Sequence, residues 1–274
     1  MTSLFATTPL KVGIAGLGAI GKSLAGLLDK GVPGLRLYAV AVRDASKYAE
    51  FIDGLSVRPV TTDFEGLARD CDIVIECAPA ELVSAIATPA LKAGRKVVVL
   101  SSGALLSQMH LLDLAKECGG QILVPTGALI GLDAVTAAAE GTIHSVTMTT
   151  RKPVKGLLGA PYLARHNISI EDISEPMKVF SGSAREAALG FPANLNVAVA
   201  LSLAGIGPDR TRLDIWADPA LKRNTHTIVV DADSASFSMT IENIPSENPK
   251  TGRITALSVL TLLKKICSPL RVGS

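Results

Sequence analysis

Cysteine is scarce in this chain, and its spacing builds no site. Cys71, Cys77, Cys118 and Cys267 form no Cys-x-x-Cys motif, so neither a zinc ribbon nor a dithiol centre is expected, and no metal site with them. They read as thiols of a reducing compartment, which fits the cytoplasm. Aromatic residues make up only 4% of the 274, and 27 Lys and Arg nearly offset 25 Asp and Glu, for a net charge of +2. That balance offers no basic face for nucleic acid and no acidic tail. Met1–Pro9 is short and polar, unlike a secretory leader. The single long uncharged run, Ala187–Pro208, holds Pro192, Asn194 and Asn196, polar groups that lipid would leave unpaired. A buried helix is expected there rather than a membrane span.

Glycine, in contrast, is placed with purpose. Lys11–Ala15 is an apolar strand running into Gly16-x-Gly18-x-x-Gly21, the dinucleotide-binding fingerprint. Gly16 permits the turn out of the strand, Gly18 lets backbone approach a pyrophosphate, and Gly21 lets the next helix pack close. Ala19 and Ile20 open that helix, whose free N–H groups attract phosphate. A second strand ends at Arg43-Asp44. An acidic residue there binds the ribose of NAD, whereas an arginine receives the 2′-phosphate of NADP. NAD is the first expectation and NADP the alternative.

Alternating strands and helices continue to about residue 125. Strands are predicted at Leu10–Ala15, Leu35–Val42, Val57–Val60, Asp72–Cys77, Lys96–Leu100 and Gln121–Val124. Helices are predicted at Ala19–Lys30, Ala80–Ala93 and Leu106–Cys118. Continuous apolar strands between helices imply a Rossmann-type, doubly wound parallel sheet. Ala78, just past the fourth strand, lies where such sheets bind ligand. Beyond Thr126 the rhythm changes: His144–Arg151, Asp214–Ala217, Thr227–Asp231 and Phe237–Ile241 read as strands of a second, α+β domain with antiparallel pairing. Ile254–Ile266 is a last amphipathic helix that can dock back on the first domain. The fold class is therefore α/β, with residues 1–125 plus 249–274 as the dinucleotide-binding domain and 126–248 as the substrate and oligomerisation domain.

The chemistry falls to the second domain, because a bound nicotinamide needs a positioned substrate and a proton acceptor. His226 is the candidate: histidine titrates near neutrality, and Arg223 and Asn224 stand beside it. His110, His144 and His166 have no such company. Arg151-Lys152 and the block around Lys250 suit an anionic substrate, with solvated loop charge as the alternative. Asn194 and Asn196 either cap the uncharged helix or bind a carboxamide.

At these residues the chain resembles the L-aspartate dehydrogenases. The likeness runs through Gly13–Gly21, Pro125-Thr-Gly-Ala-Leu-Ile-Gly-Leu-Asp133, Thr150–Pro153, Phe191–Ala198, Leu203–Asp209, Ala217–Pro219, Arg223–His226, Ile241–Ser246 and Asn248–Thr251. It implies NAD- or NADP-linked oxidation of L-aspartate to iminoaspartate, which hydrolyses to oxaloacetate and ammonia or feeds NAD biosynthesis. It also implies a homodimer or larger homo-oligomer. His226 corresponds to the family's active-site histidine, and Asn196 and Ile130 to cofactor-binding positions. Ile130 stands where alanine is expected and Thr126 where serine is common. Thr126, Lys152, Asn224 and Lys250 are the expected substrate contacts. The rival readings are a related two-domain reductase, such as dihydrodipicolinate reductase or homoserine dehydrogenase, and a non-catalytic NAD(H) sensor.

Overall fold

A computed structural model describes residues 8–192, 195–245 and 252–273. The chain forms two compact units, one holding the chain up to Pro125 with Ala256–Val272, the other Thr126–Thr255. The first contains β1 (Leu10–Ala15), α1 (Ala19–Asp29), β2 (Leu35–Ala41), α2 (Ala49–Asp53), β3 (Val60–Thr62) and α3 (Phe64–Asp70). It continues with β4 (Ile73–Glu76), α4 (Val83–Lys92), β5 (Lys96–Val99), α5 (Ser102–Leu105), α6 (His110–Cys118) and β6 (Gln121–Leu123). In the second are α7 (Leu132–Ala139), β7 (Ile143–Lys152), α8 (Pro161–Arg165), β8 (Met177–Ser183), α9 (Ala184–Gly190), α10 (Asn196–Ala204), β9 (Thr211–Ala217), β10 (Asn224–Ala232) and β11 (Ser236–Asn243). The final helix, α11 (Ile254–Cys267), begins in the second unit and lies mostly in the first.

The first sheet has the order β3-β2-β1-β4-β5-β6, and its strand pairs run parallel, the α/β arrangement expected from the sequence. Parallel strands need crossovers, and helices supply them on both faces. Ile14, Ile73 and Ile75 pack with Leu24 of α1, Ile52 of α2 and Val259 and Leu263 of α11. Val74 and Val97 face Leu67 of α3, Ile86 of α4 and Leu111 of α6. The C-terminal helix is thus part of the first core, as its amphipathic pattern suggested.

Three sequence expectations need correcting. The predicted strand Val57–Val60 begins only at Val60: the Asp29 carboxylate accepts from the amides of Ser56 and Val57, and Pro59 has no amide to give a ladder. The predicted helix Leu106–Cys118 starts at His110, because Ser107 and Gln108 close turns onto Ala104 and Leu105. The uncharged run is not one helix. Its α9 begins on a Ser183–Glu186 capping box and stops at Gly190, before Pro192, and α10 starts at Asn196.

The second sheet has the order β11-β10-β7-β9-β8. It is mixed rather than purely antiparallel, since β7 and β9 pair in parallel. The chain between them, carrying α8, β8, α9 and α10, provides the crossover that a parallel pair requires. One face is buried through Val146, Met148, Ile215, Ile228 and Val230, while the other presents Thr147, Thr149, Thr227 and Val229.

Candidate active site

The glycine loop fits a dinucleotide. Gly16 adopts φ +100°, and a β-carbon there would sit 2.6 Å from the Cys77 carbonyl oxygen at the end of β4. At Gly21 a β-carbon would collide with the Gly16 carbonyl, so α1 packs on the turn only because that atom is missing. Gly18 differs: nothing lies within 4 Å of its missing β-carbon, which leaves that side open for a phosphate. Gly18 is also the N-cap of α1, with no side-chain cap and no acidic residue in the first turn. No side-chain cap or first-turn carboxylate therefore competes with an anion for the amides at Ala19 and Ile20.

Arg43 and Asp44 are both exposed beyond β2. Asp44 Oδ1 accepts from the Ser46 hydroxyl at 2.6 Å and the Ser46 amide at 3.0 Å, and these bonds hold its carboxyl below the usual range. Ala78 is half-buried, and its amide donates to Glu76 Oε1 at 3.1 Å. Glu76 was not foreseen as important. It ends β4 at 1% exposure and accepts from the Leu100 amide (3.0 Å), the Ser101 amide (2.8 Å) and the Ser101 hydroxyl (3.0 Å). Burial raises its pKa, while those bonds pull the other way. An acidic residue closing an apolar strand was the only available signal.

In the second unit, strand alternation assembles the polar group. Thr150 of β7 faces His226 of β10 in the antiparallel ladder, and Ile241 of β11 faces His226 from the other side. Period-2 alternation then puts Lys152 and Asn224 on the same face. His226 is 3% exposed, Thr150 1% and Lys152 3%. Thr150 Oγ1 and His226 Nδ1 are hydrogen-bonded at 3.2 Å. Burial first, and the Lys152 charge second, push the His226 pKa down to about 3. Lys152 and Asn224 flank one turn, since a β-carbon on Gly156 would lie 3.9 Å from both Lys152 Cβ and Asn224 Oδ1. Arg151 is turned to the opposite face, over the Trp216 ring and 3.6 Å from Asp218. Alternation thus separates the two adjacent cations that the sequence left together.

Thr126 and Ile130 lie in the turn before α7, Thr126 half-buried and Ile130 41% exposed. Asn243 of β11 anchors that turn by donating Nδ2–H to the Ala128 carbonyl at 2.8 Å. Asn196 is the first residue of α10 and exposed; the N-cap is Leu195, so Asn196 does not cap the helix. Asn194, Asn248 and Lys250 fall outside the described residues. Among the described residues no helix is long and apolar enough to cross a membrane.

Residues 133–266 match the family described as aspartate dehydrogenase, C-terminal, and residues 16–125 match the homoserine dehydrogenase NAD-binding domain. The chain is 59% identical to an L-aspartate dehydrogenase of Bradyrhizobium diazoefficiens over 274 residues, covering 100% of this chain and 98% of that one. It is 60% identical to L-aspartate dehydrogenase 3 of Bordetella bronchiseptica, covering 97% and 98%. The crystal structure of aspartate dehydrogenase from Thermotoga maritima superposes with a TM-score of 0.76 at 25% identity, covering 96% and 99%. A homoserine dehydrogenase from Thiobacillus denitrificans shares the fold, with a TM-score of 0.65 at 16% identity over 96% and 74%.

Proposed function

The chain belongs to the L-aspartate dehydrogenase family, and from that premise we propose that it oxidises L-aspartate to iminoaspartate, with His226 as the proton acceptor. The observation that carries this reading is the buried group of His226, Thr150 and Lys152, with half-buried Asn224 beside them, on one face of the second sheet. NAD is the cofactor, and it supplies the hydride acceptor. Gly16, Gly18, Ala19, Ile20 and Gly21 hold the pyrophosphate through backbone. Ala78, Ile130 and Asn196 are the proposed neighbours of the nicotinamide half. Asp44 suits the ribose of NAD, and the exposed Arg43 beside it suits some use of NADP.

Loss of hydride from Cα leaves the former ammonium nitrogen as an iminium, so one proton must leave as well. A ring held at a pKa of about 3 is uncharged near neutrality, with one nitrogen protonated and the other open to accept a proton. A dicarboxylate brought beside it raises its basicity, because negative charge stabilises imidazolium. The Lys152 ammonium is the proposed partner of a substrate carboxylate, with Asn224, Thr126 and Lys250 completing the contacts. Iminoaspartate then hydrolyses to oxaloacetate and ammonia or feeds NAD biosynthesis. The free thiols of Cys71, Cys77, Cys118 and Cys267 suit a cytoplasmic setting. The half-open second sheet suits a homodimer or larger homo-oligomer.

One assay tests the reading. NAD⁺ reduction by L-aspartate, and NADH or NADPH oxidation by oxaloacetate plus ammonia, are each expected to proceed, with homoserine and dihydrodipicolinate inert. No turnover in either direction would remove the assignment.

A further inference from the structure

We propose that Thr150 is the positioning residue of His226: its buried hydroxyl accepts the Nδ1–H of the imidazole and leaves Nε2 as the ring's proton acceptor. The inference rests on the role proposed above for His226. The resemblance includes Thr150 in the Thr150–Pro153 block but gives it no role, and strand alternation alone does not single it out. Three observations in the fold do.

The first is register. Thr150 and His226 are directly opposite in the β7–β10 ladder, so their β-carbons stand a few ångströms apart whatever their rotamers. Threonine is also stiff at χ1, which leaves its hydroxyl little freedom to turn away. The second is burial: with the two residues 1% and 3% exposed, water is a poor substitute for the 3.2 Å bond between them. The third is the charge state. Burial and the Lys152 ammonium keep the ring neutral, and a neutral imidazole carries its proton on one nitrogen only.

Nδ1 is committed to Thr150, so Nε2 is the nitrogen left to meet a substrate. A base at Nε2 needs the proton on Nδ1, and the Thr150 oxygen is the acceptor that holds it there. The step balances simply: Nε2 gains the proton that leaves the substrate nitrogen, and Nδ1 keeps its own. The resulting imidazolium still donates to Thr150.

The test uses full-length protein labelled with ¹⁵N in the histidine rings, with the His226 signals assigned by their loss in His226→Asn. Wild type and Thr150→Ser are expected to show a protonated Nδ1 and an unprotonated Nε2. Thr150→Val keeps the shape without the hydroxyl. It is expected to move the proton to Nε2 and to lower kcat by about 10- to 100-fold, with the Kd for NADH unchanged. Thr150→Ala repeats that arm should valine not be accommodated. An unchanged tautomer and kcat in Thr150→Val overturn the proposal, as does a serine variant as impaired as the valine one. Normal turnover in His226→Asn overturns instead the role of His226, and the ring spectra then still report whether Thr150 sets the tautomer.

Discussion

Burying a histidine beside a lysine has a thermodynamic consequence that is separate from catalysis. His226 binds a proton in the unfolded chain near pH 6.5 but in the fold only near pH 3. Between those values the unfolded state holds the extra proton, so stability is full above about pH 6.5 and falls as pH drops towards 3. The slope from this residue is about 1.4 kcal/mol per pH unit at its steepest. Denaturant melts of wild type and His226→Asn at pH 7, 6, 5 and 4 isolate it, since the carboxylates titrate alike in both. Wild type is expected to lose stability faster over that range; parallel curves would mean that the ring is solvated. Kinetically, the same variant is expected to lower kcat by about 10²- to 10⁴-fold while leaving the Kd for NADH near wild type. His226 could be singled out in the sequence because a titratable ring stood among polar neighbours. Its tautomer partner could not, since which threonine of β7 it meets depends on a pairing between strands 76 residues apart.

At the scale of elements, the ends of β1, β4 and β5 hold the cofactor loop in shape, and two glycines divide the labour. Gly18 has φ −68° and open space where a β-carbon would go, so Gly18→Ala is expected to leave thermal stability within about 0.5 kcal/mol. The same methyl occupies the phosphate side, so NADH affinity measured by fluorescence should fall. Gly21→Ala should do the reverse in order, destabilising the fold first, because its methyl meets the Gly16 carbonyl. If both variants lost stability equally, the open side at Gly18 would be mistaken. Glu76 ties this end together by gathering amides from both the β4 and β5 exits. Glu76→Ala leaves those donors without their acceptor and is expected to cost about 3 kcal/mol in a urea melt. The inner strands β1, β4 and β5 were legible because they are continuous apolar runs buried on both faces. Their boundaries were not, where a side chain such as Asp29 takes the amides that a strand would need.

On the scale of the whole molecule, the second sheet was the harder part to read. Its single parallel pair joins β7 to β9 across some sixty residues, and no local pattern announces such a crossover. In the fold its strands alternate between a core face and an open face, and the open face carries the last prediction. Thr227 pairs with Thr149 on one side and Thr240 on the other, and Val229 with Thr147 and Ser238, giving an uncharged patch across β7, β10 and β11. Val229 is 48% exposed at its centre. Sheets that face water usually set charges among such residues, and a flat patch of β-branched side chains suits a second copy of itself. A twofold contact puts Val229 near its own counterpart, so Val229→Lys introduces like charges there. Sedimentation or light scattering at micromolar concentration is expected to find an oligomer for the wild type and a smaller species for the variant, with circular dichroism unchanged. An oligomer of unaltered size in Val229→Lys would move the interface elsewhere on the chain. If the wild type itself ran as a monomer, the open face would need no partner, and the homo-oligomer would be withdrawn.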